Sequence, residues 1–196
     1  MRIMGALPPA PGELEHPALG LVNTVHTTTA GTTDLIEDPH QASRWLIERE
    51  LLALDTRLGA SCATRLRALR EEIRSLLTSA TQTSPPTYDA IAALNTALTA
   101  APTTQLLTWA PDHGWRTVTP HPLDRAPDHL LALLARDAVD LLTGSDADKI
   151  TMCGAAPCSR FLLRTHGARQ WCSVRCGDRV RAARAYARRT TPNPPP

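Results

Sequence analysis

Cys153-Gly154-Ala155-Ala156-Pro157-Cys158 and, thirteen residues further on, Cys172-Ser173-Val174-Arg175-Cys176 hold four of the chain's five cysteines. The spacing is C-x4-C-x13-C-x3-C: two short-range pairs about a dozen residues apart, in which two tight turns each offer two thiolates to one metal ion. The apolar run in Met1-Arg2-Ile3-Met4-Gly5-Ala6-Leu7-Pro8-Pro9 is too short for a secretory leader, so the chain is read as cytoplasmic. In that setting a tight cluster of four cysteines points to metal before disulfides. Four protein thiolates around Zn2+ close a tetrahedron and leave no position for water or substrate. The expected ligand set is therefore Cys153, Cys158, Cys172 and Cys176 around one structural zinc. Unliganded buried cysteines and an iron–sulfur cluster are the competing readings. A module of about 40 residues has little core of its own, which favours a metal staple.

Working outward, Arg160–Leu163 reads as a strand, Thr165–Arg169 as a turn and Gln170-Trp171 as a second strand. Ser173 is a good N-cap and places Cys176 in the first turn of a helix, where free N–H groups and the helix dipole favour thiolate. Knuckle, hairpin and ligand-bearing helix predict a treble-clef-like finger. At 100° per residue, Cys176, Val180, Ala183 and Ala187 fall on one face, expected to look at the zinc site. Arg181, Arg184 and Arg188 form one flank, Arg175, Arg179 and Arg189 the other. His166 lies in the turn and is expected to be solvated. Cys62, on an apolar helical stripe far upstream, is expected to be a small core residue.

The net charge of +2 conceals a division. Residues 151–196 carry nine arginines against one acid, Asp178, a net of +8. Residues 1–150 carry 12 basic and 18 acidic groups, a net of −6. A zinc ion on four thiolates would leave the C-terminal module near +6, still strongly basic. An Arg-lined helix on a zinc site suits a nucleic-acid backbone or groove, and Arg175, Arg179, Arg181, Arg184 and Arg188 are the candidate DNA contacts. The rival readings are a zinc-stabilised protein-interaction module, pairing of the basic face with the acidic N-terminal body, and a solvated face without a partner.

The remaining sequence is mainly helical. With 196 residues, 42% of them hydrophobic and 20% charged, the chain has the means to bury a core and carries no apolar run of membrane-spanning length. Helices are predicted from near Pro17, from Pro39 after an Asp38 cap with Trp45, Leu46 and Leu51 or Leu52 inward, and from Ser61 to Leu77 on the stripe Cys62, Leu66, Leu69, Ile73 and Leu76. Ser84-Pro85-Pro86 breaks the chain. Another helix carries Tyr88, Ile91, Leu94 and Leu98 inward, and a last one, Pro127–Thr143, carries Leu130, Leu134, Ala138 and Leu141. Gln105–Trp109 and Trp115–Thr119 flank Pro111-Asp112-His113-Gly114 and predict a β-hairpin. The organisation is a helical sensor or interaction domain at 14–145, a finger at 149–190, and flexible tails at 1–13 and 191–196. His26, Asp34, His40, His113 and His121 have no ligand spacing. No phosphate loop or nucleophile motif is present, so an enzyme using an N-terminal pocket ranks last.

Trp171-Cys172-Ser173 followed by Cys176-Gly177-Asp178-Arg179 closely resembles the CGNR zinc-finger signature, W-C-S…C-G-N-R. Leu21-Val22-Asn23-Thr24-Val25, Trp45-Leu46, Leu69-Arg70-Glu71-Glu72-Ile73 and Leu94-Asn95 resemble the ABATE domain that precedes that finger. The resemblance covers roughly residues 14–189. It implies a stress-linked bacterial transcription regulator with a mainly helical N-terminal domain and a four-Cys finger. The family's zinc cysteines carry over onto Cys153, Cys158, Cys172 and Cys176, and its final Arg onto Arg179. Two positions depart: the family's Asn is Asp178 here, and an acid usual after the second Cys is replaced near Arg164. Asn23 and Thr24 resemble the family's Asn-Thr pair. They are candidates for lining a small-molecule pocket, or for bridging helices by hydrogen bonds, which is the favoured reading. A protein effector on the same domain is the other expectation. A lone basic finger gains specificity from a second copy, so a homodimer is expected.

Overall fold

A computed structural model describes residues 7–102, 106–118 and 126–190. The body is built from α1 (Pro17–Val22), α2 (Pro39–Glu48), α3 (Ala60–Gln82), α4 (Tyr88–Ala100) and α5 (Ala126–Thr143). A short hairpin, β1 (Val25–Thr28) with β2 (Gly31–Asp34), follows α1 and was not foreseen from the sequence. A second, β3 (Leu106–Ala110) with β4 (Gly114–Val118), links α4 to α5. The finger comprises β5 (Ile150–Met152), β6 (Phe161–Leu163) and α6 (Val174–Thr190). The fold is mainly α, as the periodicity predicts. No described helix is long and apolar enough to cross a membrane.

The predicted stripes form the core. Cys62, Leu66, Leu69, Ile73 and Leu76 of α3 are buried, as are Leu130, Leu134, Ala138 and Leu141 of α5. Asp38 caps α2, its carboxylate accepting the Gln41 N–H at 2.8 Å. The N-terminus of α1 has no cap of its own; Asp137 of α5 accepts from the Ala18 N–H at 2.7 Å and faces His16 Nδ1 at 3.0 Å. At Gly144 a Cβ would lie 2.5 Å from the Asp140 carbonyl oxygen, so the end of α5 requires a glycine for space.

Four expectations are corrected. The α2 helix stops at Glu48, so Leu51 and Leu52 reach the core from the turn beyond it. In α4 Leu94 is buried and Leu98 packs partly on the core, joined by Ala90, while Tyr88 and Ile91 are exposed, because α4 meets α3 and α5 along one narrow face. The finger's hairpin does not run from 160–163 to 170–171. Phe161–Leu163 pairs upstream with Ile150–Met152, so the first cysteine pair lies inside the hairpin's loop. Gln170 contributes only its carbonyl, which accepts the Gly154 N–H at 2.8 Å.

The fourth concerns the N-terminal tail. Residues 1–6 and 191–196 lie outside the described residues, but 7–13 is packed where the sequence suggests a flexible segment. Ala10 is buried with the cysteine cluster, and the Pro11 carbonyl accepts the Leu163 N–H at 2.9 Å. Gly12, at φ +90°, passes so close that a Cβ would sit 2.6 Å from Leu163 Cγ.

Strand β6 explains how finger and body meet. Side chains alternate across a strand. Phe161 and Leu163 belong to the helical core together with Ile150, whereas Leu162 belongs to the second core with Cys153, Cys158, Cys172 and Cys176. One three-residue strand is thus the wall between two cores. Fully burying Phe161 alone contributes about 2–3 kcal/mol.

Candidate metal centre and basic helix

The hairpin and α6 bring the four cysteines together. The Cys158 N–H bonds the Ala155 carbonyl at 2.9 Å, closing the first turn, and Ser173 Oγ accepts the Cys176 N–H at 3.2 Å, the cap predicted for α6. All four sulfurs are buried and lie within 4.8 Å of one another. Cys172 Sγ is 3.7 Å from both Cys158 Sγ and Cys176 Sγ. A tetrahedron with metal–sulfur bonds of about 2.3 Å has edges of about 3.8 Å, so the donor set fits a tetrathiolate centre.

Without a cation Cys153, Cys158 and Cys172 hydrogen-bond to one another. Hydrogen bonds from the Cys158 and Cys172 thiols hold Cys153 down to about 2. The bond to Cys153 pushes Cys158 up to about 11, and bonds to Cys153 and Cys158 push Cys172 further up. The Cys172 N–H faces Cys153 Sγ at 3.4 Å. Arg160 Nη1 lies 3.9 Å from Cys172 Sγ, and Arg179 Nη2 lies 3.9 Å from Cys176 Sγ. A divalent ion on four thiolates carries −2, and these two guanidiniums offset it.

The sequence singled out Arg179 but gave Arg160 no role beyond its charge. Arg160 is only 3% exposed, donates to Glu13 Oε1 at 2.5 Å and the Pro8 carbonyl at 3.0 Å, and faces the cluster with its other nitrogen. Glu13, equally buried, also accepts from Asn23 Nδ2 at 2.6 Å and Arg49 Nη2 at 3.3 Å. The ligand-flanking position of Arg160 was visible in the sequence; its partner, 147 residues away, was not.

Asn23 and Thr24 are buried and saturated. Asn23 bonds Glu13 and both backbone groups of Phe161; Thr24 donates to the Leu21 carbonyl at 2.7 Å and accepts from Arg70 at 3.1 Å. With Glu13, His26, Arg49 and Arg160 they border a polar cavity of about 60 Å3, room for a few waters. Among the scattered residues, Asp34 is held by Arg70 at 2.7 Å, His113 pairs with Asp112, and His121 lies outside the described residues. His166 is exposed. Burial pushes the Cys62 thiol up, in keeping with a core residue.

The basic helix departs from its predicted packing. Only its first turns, through Val180, touch the cluster; Ala183 and Ala187, expected inward, are exposed because α6 runs on beyond the finger. Its arginines divide accordingly. Arg179 turns inward, donating to the Ala155 carbonyl at 2.5 Å and tying helix to knuckle. Arg181 pairs with Asp178 at 2.5 Å and lies over the Trp171 ring at 5.7 Å. Arg175, Arg184 and Arg188 face solvent. Gly177 lies beneath Trp171 and Arg181, where a Cβ would come within 3.1 Å of both. The signature C-G-x-R therefore reads as ligand, close approach and knuckle anchor.

Two models of known families match this architecture end to end. Residues 15–145 match ABATE, described as "Putative stress-induced transcription regulator". The chain belongs to the ABATE family. Residues 149–189 match the CGNR zinc finger, so the ABATE body is followed directly by the four-Cys module. Among curated proteins none matches the chain.

Proposed function

We propose that this ABATE protein is a DNA-binding transcription regulator in which one structural Zn2+ on Cys153, Cys158, Cys172 and Cys176 holds the finger and α6 is laid against duplex DNA. The observation that carries the reading is the course of α6: beyond Val180 it leaves the finger with Arg184, Arg188 and Arg189 in solvent and Arg175 exposed at its start. A strongly basic helix with few acids beside it suits phosphates, each contact releasing counterions. Arg179 and Arg181 contribute through the finger's architecture first. The body is assigned the effector role, with no catalytic step. The cavity at Asn23 and Thr24 suits water, whereas an apolar groove of about 350 Å3 between α3, α4 and α5 has the size of a small-ligand site.

The test is titration of duplex DNA with the intact, zinc-loaded protein over a series of salt concentrations. Affinity should fall steeply with salt. The variant Arg175→Ala, Arg184→Ala, Arg188→Ala should bind more weakly with a slope reduced by about 3, at unchanged zinc content. Negligible binding at low salt would transfer the finger to the protein-interaction reading.

A further inference from the structure

Among the described residues, the β3–β4 hairpin stands apart from both apolar cores. Its strands pair with each other and, among the described residues, with no other strand, and none of its side chains belongs to either apolar core. A lone two-stranded hairpin is marginally stable in water. The register sets Trp109 opposite Trp115 and Leu107 opposite Thr117, so these four share one face. Leu107 is 67% exposed, Trp109 58% and Trp115 71%. Among the described residues, no charged side chain of the hairpin shares this face: Arg116 points to the other side, and Asp112 and His113 pair with each other at the tip.

We propose that the Trp109–Trp115 face is a homodimer interface, packed face to face on the same hairpin of a second copy. An uncharged apolar face requires a partner surface that is also uncharged and apolar, and a two-fold axis supplies one without burying any ionic group. Two tryptophans and a leucine, each more than half exposed, offer roughly 400–500 Å2 per copy. A pair then buries at most about 900 Å2, below the standard size of stable interfaces and in the range of weak, transient ones, so the dimer is expected to be reversible.

Sedimentation velocity of the intact, zinc-loaded chain without DNA tests this, so its outcome is separate from that of the DNA reading. The wild type should pass from monomer to dimer as concentration rises to about 100 μM, and iodide quenching of tryptophan should fall in step. Leu107→Asp and Trp115→Ser should each weaken the dimer at least tenfold. Zinc content and the thermal transition of the helices should not change, because the hairpin packs on nothing else described. Arg116→Glu, on the opposite face, should leave the dimer intact. A wild type that stays monomeric throughout, or a dimer that survives both Leu107→Asp and Trp115→Ser, overturns the proposal.

Discussion

Asn23 and Phe161 hold each other by two hydrogen bonds: the Phe161 N–H donates to Asn23 Oδ1 at 2.8 Å, and Asn23 Nδ2 donates to the Phe161 carbonyl at 2.8 Å. The carboxamide thus acts as a strand partner for the free edge of β6. This side chain, just past the end of α1, ties the finger to the body beside the packing of Phe161 and Leu163.

Removing it strands buried groups. Asn23→Ala leaves the N–H and C=O of Phe161 without partners and should cost about 3 kcal/mol in urea-unfolding stability. Asn23→Asp should be at least as severe, because a carboxylate accepts from the N–H yet faces the Phe161 carbonyl and Glu13. If Asn23→Ala unfolds at the wild-type midpoint, the bridge contributes nothing.

Glu13 and Arg160 are coupled behind the metal centre. Glu13→Gln or Arg160→Met alone removes the shortest ion pair of a buried charge, leaving Glu13 its longer Arg49 contact or Arg160 the Pro8 carbonyl and Cys172 sulfur, and should cost about 3 kcal/mol. The double variant should lose at least 1 kcal/mol less than the sum of the singles, since the two share one interaction. Arg160→Met should also speed zinc transfer to a chromophoric chelator, because one guanidinium leaves the thiolates. Additive singles with unchanged zinc release would refute the coupling.

Chelation should reach the body. Phe161 and Leu163 lie in the helical core while Leu162 lies against the cysteines, so losing the finger's order removes part of that core. Calorimetry should give one cooperative transition for the zinc-loaded chain and a lowered transition for the helices after chelation. Phe161→Ala should mimic this at about 3–5 kcal/mol. A helical transition indifferent to chelator would mean that the two cores are independent.

His26 predicts a pH dependence. It is buried, and burial first, then the positive charge of Arg160, lowers its pKa below the ordinary 6.5. The unfolded chain therefore takes up the proton more readily. The stability that neutral His26 confers is present above about 6.5 and is lost as pH falls below that value. Between pH 7.5 and 5.5 the wild type should lose more stability than His26→Asn, and equal losses would exclude His26 as the source.

Asp178 is the departure from the signature that bears on DNA. It neutralises Arg181 at 2.5 Å. Asp178→Asn should free that guanidinium for a phosphate, tighten duplex binding and steepen the salt slope by about 0.9. Weaker binding in this variant would show that Asp178 helps by holding the helix instead.

The cysteine spacing, the cap at Ser173, the stripes of α3 and α5 and the segregation of charge were all written in local sequence, because each depends on residues a few positions apart. These sufficed for the mainly helical class, the four-Cys cluster and the basic helix. Only the tertiary structure decided the pairing of β6 with 150–152, the packing of residues 8–13, and the link from the cysteines through Arg160 to Glu13 and Asn23. A strand of three residues has too few positions to announce its partner. A buried ion pair spanning 147 residues leaves no periodicity to read. The exposure of Ala183 and Ala187 likewise followed from where the finger ends, since the helical pattern states which residues share a face and not whether anything lies opposite it.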